Sequence, residues 1–230
     1  MKKLVISMLC LLGMIQTASA QYKVGDTYEK DGLKGVVVSV DESGQHGLIM
    51  SVTGCSSRWC TGDVKLAVGA TDTKDGMKNF EKVKTYIKKK NLTWDDFPLF
   101  KWANELGEGW YIPASDELMD IIKNINGGVL SYDSKKIKAI SKAMKKLGGK
   151  SMVASGIAGS GNPYTMITST EEGGDLVLQV CMNESASSVI GGPLAALGGL
   201  KTGKFALEPT PKKLGMGKMA GDYSRAVHKF

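Results

Sequence analysis

The stretch that most constrains the fold is residues 97–122, FPLFKWANELGEGWYIPASDELMDII. Apolar residues recur at helical spacing in its first part, and Gly107 and Gly109 then allow the chain to turn sharply. Pro113 disfavours a helix at the residue before it and lacks the N–H that a continuing β-ladder needs. Ser115 is a favourable N-cap. The stretch therefore predicts a helix, a tight turn, a short strand and a second, capped helix.

The start of the chain is typical of an export signal. Two lysines at residues 2–3 precede an apolar run over residues 4–15, and small residues at 18–20 form a cleavage site. We expect cleavage near Ala20, which leaves one domain over residues 21–230 and places it in the periplasm, at the cell surface or outside the cell. The alternative is an uncleaved membrane anchor, but the apolar run is too short to span a bilayer comfortably.

Charge and periodicity limit the function classes. The formal net charge is +7, of which residues 2–3 supply two, so the exported chain is mildly basic. This balance favours acidic partners in general and does not indicate nucleic acid. No other apolar run is long enough to cross a membrane, and no solenoid repeat is present.

The remaining pattern predicts an α+β fold with a small twisted antiparallel sheet, flanking helices and long loops. Strands are predicted at residues 36–40, 48–52, 64–68, 164–169, 176–181 and 224–227. Further helices are predicted over residues 75–90 and from Ser134 to about residue 147, where apolar residues recur at helical spacing. A loop-rich insertion is predicted over residues 183–222, and within it a Pro/Gly loop over residues 208–221.

The central residues also carry a family resemblance. Residues 109–118, GWYIPASDEL, resemble the signature Gly-Trp-(aromatic or Arg)-Leu-Pro-(Ser or Thr)-x-x-Glu-Leu of bacterial C-type-lectin-like domains. This group includes the C-terminal domain of Legionella collagen-like adhesins and the Fibrobacter succinogenes major domain group. Residues 46–51, 75–79 and 223–230 resemble other segments of the family in the same order, so the similarity spans roughly residues 24–230.

The resemblance implies a C-type-lectin-like fold and a secreted, non-catalytic domain that recognises a glycan or a surface protein. Trp110, Pro113 and Glu117 form the structural motif that it implies. We expect Trp110 to be a core residue beside Pro113, and the alternative is an exposed platform for a ligand.

Three cysteines remain after the signal. Cys55 and Cys60 enclose four residues of a predicted loop, and export permits a local disulfide between them. Cys181 ends an apolar strand and is expected to be a buried thiol. A bridge from Cys181 to Cys55 or to Cys60 stays open.

No cofactor is expected. His46 and His228 are the two histidines of the chain, and a metal site would need them to meet with carboxylates. The acidic residues 171–175 read either as a calcium loop or as a solvated loop, and a full set of oxygen ligands is not visible. Catalysis is not expected, because no nucleophile–base pair stands out. The alternatives are an exported enzyme of formylglycine-generating-like fold and an accessory structural domain.

The predicted helix that begins at Ser134 is the best candidate for a binding surface. There is no Asp or Glu over residues 134–150, where seven lysines lie. The candidate binding residues are Lys135, Lys138, Lys142, Lys145 and Lys146. This face is either simply solvated or binds an acidic glycan or another anionic surface. Family adhesins are associated with sulfated glycans, which implies an acidic glycan as the partner.

Overall fold

The computed structural model describes residues 21–62, 64, 67–130, 133–152, 165–173, 176–181, 212–218 and 221–230. The predicted signal at residues 1–20 lies outside these ranges, as does most of the insertion predicted at residues 183–222. Within the described ranges, four strands come first, four α-helices follow and five strands come last, which is an α+β arrangement, as the sequence predicted.

Nine strands and four α-helices are described. The strands are β1 (Thr27–Lys30), β2 (Leu33–Val40), β3 (Gly47–Ser51), β4 (Cys55–Ser57), β5 (Thr165–Gly173), β6 (Leu176–Cys181), β7 (Lys212–Gly217), β8 (Asp222–Ser224) and β9 (Val227–Lys229). The helices are α1 (Gly76–Lys90), α2 (Pro98–Glu105), α3 (Ser115–Ile125) and α4 (Ser134–Lys146), and a 3-10 turn covers Trp94–Asp96.

The first and last strands share one antiparallel sheet, in the order β1-β2-β3-β9. Met50 of β3 lies opposite Val227 of β9, so the last described strand pairs with the early meander. The β1–β2 turn has positive φ at both central residues, 55° at Asp31 and 80° at Gly32, which suits the right-handed twist of a tight hairpin. The early strands and the last described strand therefore belong to one antiparallel sheet.

Two smaller antiparallel groups complete the described strands. β4 pairs with β8, and β5, β6 and β7 form a sheet in that order. Helix α3 packs on β2, β5 and β6, while α1 packs on β5 and α4 on β2. The core between these layers includes the fully buried side chains of Val37, Ile49, Phe100 and Leu118.

Helix α1 shows how the local sequence determines an element. Asp75 is its N-cap, and the Asp75 side chain accepts from the N–H of Lys78 at 3.1 Å. Phe80, Val83 and Ile87 form the buried stripe. The helix ends at residue 90, because the next residue, an Asn, adopts a left-handed conformation.

Ser115, the first residue of α3, is not the helix N-cap that the sequence predicted. The cap position belongs to Ala114, and the Ser115 side chain is fully buried. The Ser115 N–H donates to Thr170 Oγ1 at 3.0 Å. Glu117 instead reaches back and accepts from the Ala114 N–H at 3.1 Å. A side chain of the neighbouring strand β5 therefore satisfies an N–H group in the first turn of α3, as a capping side chain would.

Three strand predictions also need correction. The predicted last strand at residues 224–227 is split into β8 and β9, which pair with different strands: β8 pairs with β4 and β9 pairs with β3. The described part of residues 64–68 is not a strand. β7 occupies part of the predicted Pro/Gly loop, where its backbone pairs with β6.

The predicted Cys55–Cys60 disulfide is wrong, because Cys55 carries a free thiol. Pairing of Cys55 with Ser224 fixes the Cys55 backbone in β4. Cys60 is fully buried, and its thiol faces the Val64 carbonyl with an S–O distance of 3.9 Å. The segment is held by backbone bonds instead, since the Trp59 N–H donates to the Lys218 carbonyl at 3.0 Å.

In the part of the chain that the structure describes, no helix combines the length and apolar character that crossing a membrane requires.

Candidate functional site

The Trp110 turn is built into the core. The indole of Trp110 is 6% exposed and meets the His228 ring edge-on, with 5.4 Å between ring centroids. Its neighbour Tyr111 exchanges two backbone hydrogen bonds with Val227, at 3.0 and 2.8 Å. Gly109 must stay small, because an added Cβ would lie 2.4 Å from the His228 ring. These contacts give Trp110 a packing role and leave little of its face for a ligand.

The Glu117 carboxylate joins three parts of this motif. It accepts from the Tyr111 hydroxyl at 2.7 Å, from the Gly76 N–H at 3.0 Å and from the Ala114 N–H at 3.1 Å. Burial raises the pKa of Glu117, although these hydrogen bonds lower it. Burial and the nearby Glu117 raise the pKa of Tyr111, so the phenol stays protonated and remains a donor.

Pro113 links the same motif to the sheet of β5, β6 and β7. Its carbonyl accepts from the Ser169 N–H of β5 at 2.9 Å. The Thr73 carbonyl accepts from the Asp116 N–H at 2.6 Å, which ties the loop before α1 to the start of α3. Pro113 and Glu117 therefore lie at a junction between α1, α3 and β5.

A buried ion pair lies away from this motif. The Glu171 carboxylate accepts from the N–H groups of Val68, Gly69 and Ala70 at 2.8, 2.6 and 2.9 Å. Its fourth partner is the ammonium of Lys218, and both side chains are almost fully buried. The sequence interpretation offered a calcium loop or a solvated loop for residues 171–175, and Glu171 fits neither, because donors already occupy its oxygens. Nothing in the local sequence indicates a partner about a hundred residues away.

The lysines of α4 form the candidate binding surface. Their α-helix docks on β2 through a buried stripe that includes Ile137, Ile140 and Met144. Seven lysines are exposed on and just beyond the helix: Lys135, Lys136, Lys138, Lys142, Lys145, Lys146 and Lys150. We call this set the α4 lysine face. It includes all five residues that the sequence singled out.

The α4 lysine face lacks acidic partners in the described chain. Among the described residues, the ion pairs involve lysines of β1, β2, α1 and α2 and Lys218. None of these ion pairs involves a lysine of α4. The acid that directly precedes α4 in the sequence, Asp133, is the N-cap and accepts from the N–H groups of Lys135 and Lys136. Lys136 donates to the Asn126 carbonyl at 2.8 Å. As far as the described residues go, the positive charge of the face is not balanced by an ion pair.

The two histidines do not meet. His228 contacts the backbone carbonyls of Glu108 and Lys229 through its two ring nitrogens. His46 lies at the β2–β3 turn and is exposed. Within the described ranges, no group of three or more His, Cys, Asp or Glu side chains is placed to hold a metal ion.

Comparison with known proteins gives a fold relationship. The structure is similar to a crystal structure of a fimbrial protein from Bacteroides ovatus, with a TM-score of 0.56 and 15% sequence identity. The similarity covers 90% of this chain and 49% of the fimbrial protein, so the chain spans about half of that protein's length. No protein-family model matches the sequence. No curated protein matches it either.

Proposed function

We propose that this protein is an exported, non-catalytic surface domain that binds acidic polymers, such as acidic glycans, through the α4 lysine face. The observation that carries the proposal is the set of seven exposed lysines without an acidic partner in the described chain. The fold similarity to a fimbrial protein supports a surface location. The residues of the Trp110 motif, which resemble the signature of bacterial C-type-lectin-like domains, are the support for a C-type-lectin-like fold.

The salt dependence of binding to a heparin column tests this proposal. Attraction between exposed charges is screened over about 8 Å at physiological salt and over roughly 4–5 Å near 0.5 M. We expect retention at low salt and elution as the salt rises. Absence of retention at low salt would contradict the proposal.

A pair of charge-reversal variants locates the surface. Replacing Lys138, Lys142 and Lys145 by Glu changes exposed positions outside the buried stripe of α4, so the fold should persist and retention should be lost. The matched control replaces Lys82, Lys88 and Lys89 of α1 by Glu, which changes the net charge equally at exposed positions. Equal loss in both variants would show that overall charge, and not the α4 lysine face, is responsible.

The comparison favours a second candidate function, an accessory or structural subunit of a surface assembly. Its support is the fold shared with the fimbrial protein, of which this chain spans about half. Size-exclusion chromatography and electron microscopy of the purified exported protein test it. Concentration-dependent filaments or discrete oligomers support assembly, and a monomer at all concentrations contradicts self-assembly.

A further inference from the structure

A cleft distinct from the α4 lysine face lies between the β2–β3 turn, the start of α1 and the end of β9. Its volume is about 410 Å³. This falls in the range of about 300–1,000 Å³ that is typical of small-molecule sites. We call it the β3–β9 cleft.

Three basic side chains line the β3–β9 cleft: His46, Lys74 and Lys229. All three are exposed, and none of them belongs to a salt bridge in the described ranges. They come from three separate segments, so the fold and not a local charge run brings them together.

The two carboxylates of the β3–β9 cleft are already engaged. Asp75 caps α1 and lies 3.9 Å from the Lys78 ammonium. Glu117 accepts from the Tyr111 hydroxyl and from two backbone N–H groups. Within the described ranges, neither acid forms an ion pair with His46, Lys74 or Lys229, so the charged ends of the two lysines stay open to an anionic ligand.

One wall of the β3–β9 cleft is apolar and well supported. Leu48 and Phe230 line it. The Phe230 ring packs against Tyr28 at 4.8 Å and Tyr22 at 5.4 Å between ring centroids. Gly47 and Phe230 exchange backbone hydrogen bonds of 3.2 and 3.1 Å, which fix this wall without a ligand.

We propose that the β3–β9 cleft binds a single carboxylate-bearing sugar. The carboxylate lies between Lys74 and Lys229, and the C–H face of the ring packs on Leu48 and Phe230. Charge-assisted hydrogen bonds give the anion its affinity, and the apolar wall distinguishes a sugar acid from a small inorganic anion. The inference depends on the cleft alone and is independent of polymer binding by α4.

Backbone amide NMR with three probes tests the ligand class. Glucuronate should shift the amides of Gly47, Leu48 and Lys229 saturably, whereas glucose at the same concentration should leave them unchanged. Inorganic phosphate should bind at least about tenfold more weakly than glucuronate. Equal affinity for phosphate would overturn the sugar assignment, and unchanged amides with glucuronate would overturn the site.

Neutralising variants test the residues. Replacing Lys74 and Lys229 by Gln should weaken glucuronate binding about tenfold or more, since hydrogen bonds to charged groups are lost. The matched control, Lys82→Gln with Lys88→Gln on α1, should bind like the wild type. The variant with Lys138, Lys142 and Lys145 replaced by Glu should no longer bind heparin but should still bind glucuronate. The two proposals can therefore be refuted separately. If the variant with Lys74 and Lys229 replaced by Gln binds glucuronate as tightly as the wild type, the β3–β9 cleft is not the binding site.

Discussion

Arg225 joins three segments that are far apart in the sequence. Its side chain is fully buried, and its guanidinium donates to the carbonyls of Ser51 at 2.5 Å, Met152 at 2.9 Å and Lys150 at 3.1 Å, and also to Ser151. The guanidinium also lies over the Tyr223 ring, 5.5 Å from its centroid. Backbone carbonyls, rather than a carboxylate, therefore satisfy this buried cation.

Arg225→Met should lower the free energy of unfolding by about 3 kcal/mol or more. The change leaves the buried carbonyls of Ser51 and Met152 without this donor, and each such group costs about 1–3 kcal/mol. Urea unfolding measures the loss. Arg58→Met is the matched control, because Arg58 is exposed, and it should stay within about 0.5 kcal/mol of the wild type. Similar small losses in both variants would contradict a structural role for the buried guanidinium.

Glu117 predicts a pH dependence of stability. Burial raises its pKa above the ordinary 4.5, so the folded protein binds more protons than the unfolded chain between the two values. Stability then falls as the pH rises through this window, because ionisation is disfavoured in the folded state. Glu117→Gln removes this contribution, and the wild type should lose stability relative to the variant from about pH 4.5 upward.

Urea unfolding from pH 4 to pH 7 checks this sign. Asp120→Asn changes an exposed residue of the same helix and should keep the wild-type slope. Parallel pH profiles for the wild type and Glu117→Gln would show that the Glu117 carboxyl does not titrate differently on folding.

At the scale of elements, strand β5 holds the loop at residues 68–70 in place through the side chain of Glu171. The Glu171 carboxylate accepts hydrogen bonds from the three consecutive N–H groups of residues 68–70 and pairs with the Lys218 ammonium. Lys218 also lies over the Trp59 ring, 5.0 Å from its centroid. The turn after β7, the loop before α1 and strand β5 thus meet at one buried charge pair.

Glu171→Ala should cost about 3–5 kcal/mol, because it leaves the buried Lys218 ammonium unpaired. The adjacent Glu172 is exposed, so Glu172→Ala should change stability by less than about 0.5 kcal/mol. Hydrogen exchange gives a local measurement: the amides of Val68, Gly69 and Ala70 should lose protection in the first variant. Retained protection of these amides would contradict the role of Glu171 as their acceptor.

The elements differ in how far the sequence predicts them. The bounds of α3 and β6 follow from local patterns, since apolar spacing and turn residues are read within one segment. The Ser115 cap was wrong because the N–H of Ser115 donates to the Thr170 side chain of the distant strand β5. The Cys55–Cys60 bridge was wrong because Cys55 carries a free thiol. For the binding surface, the exposed lysines of α4 were predictable from periodicity, whereas the β3–β9 cleft combines residues from separate segments that no local pattern connects.

At the scale of the whole molecule, the last strand connects both halves of the described fold. Val227 is fully buried, pairs with Met50 of β3 and exchanges backbone hydrogen bonds with Tyr111 beside the Trp110 turn. Disturbing β9 should therefore affect the early sheet and the helical motif together. This arrangement predicts one cooperative unfolding unit.

Val227→Ala should lower the free energy of unfolding by about 1–3 kcal/mol, the usual range for shortening a core side chain. Tryptophan fluorescence reports on Trp59, Trp94, Trp102 and Trp110 together, and hydrogen exchange of β2 amides reports on the early sheet. Both should show the same lowered midpoint in urea, because β9 contacts both regions. Lys229→Ala, an exposed change in the same strand, should leave the midpoint unchanged. Separate midpoints for the two probes would show that the sheet and the helical motif unfold independently, and β9 would then not couple them.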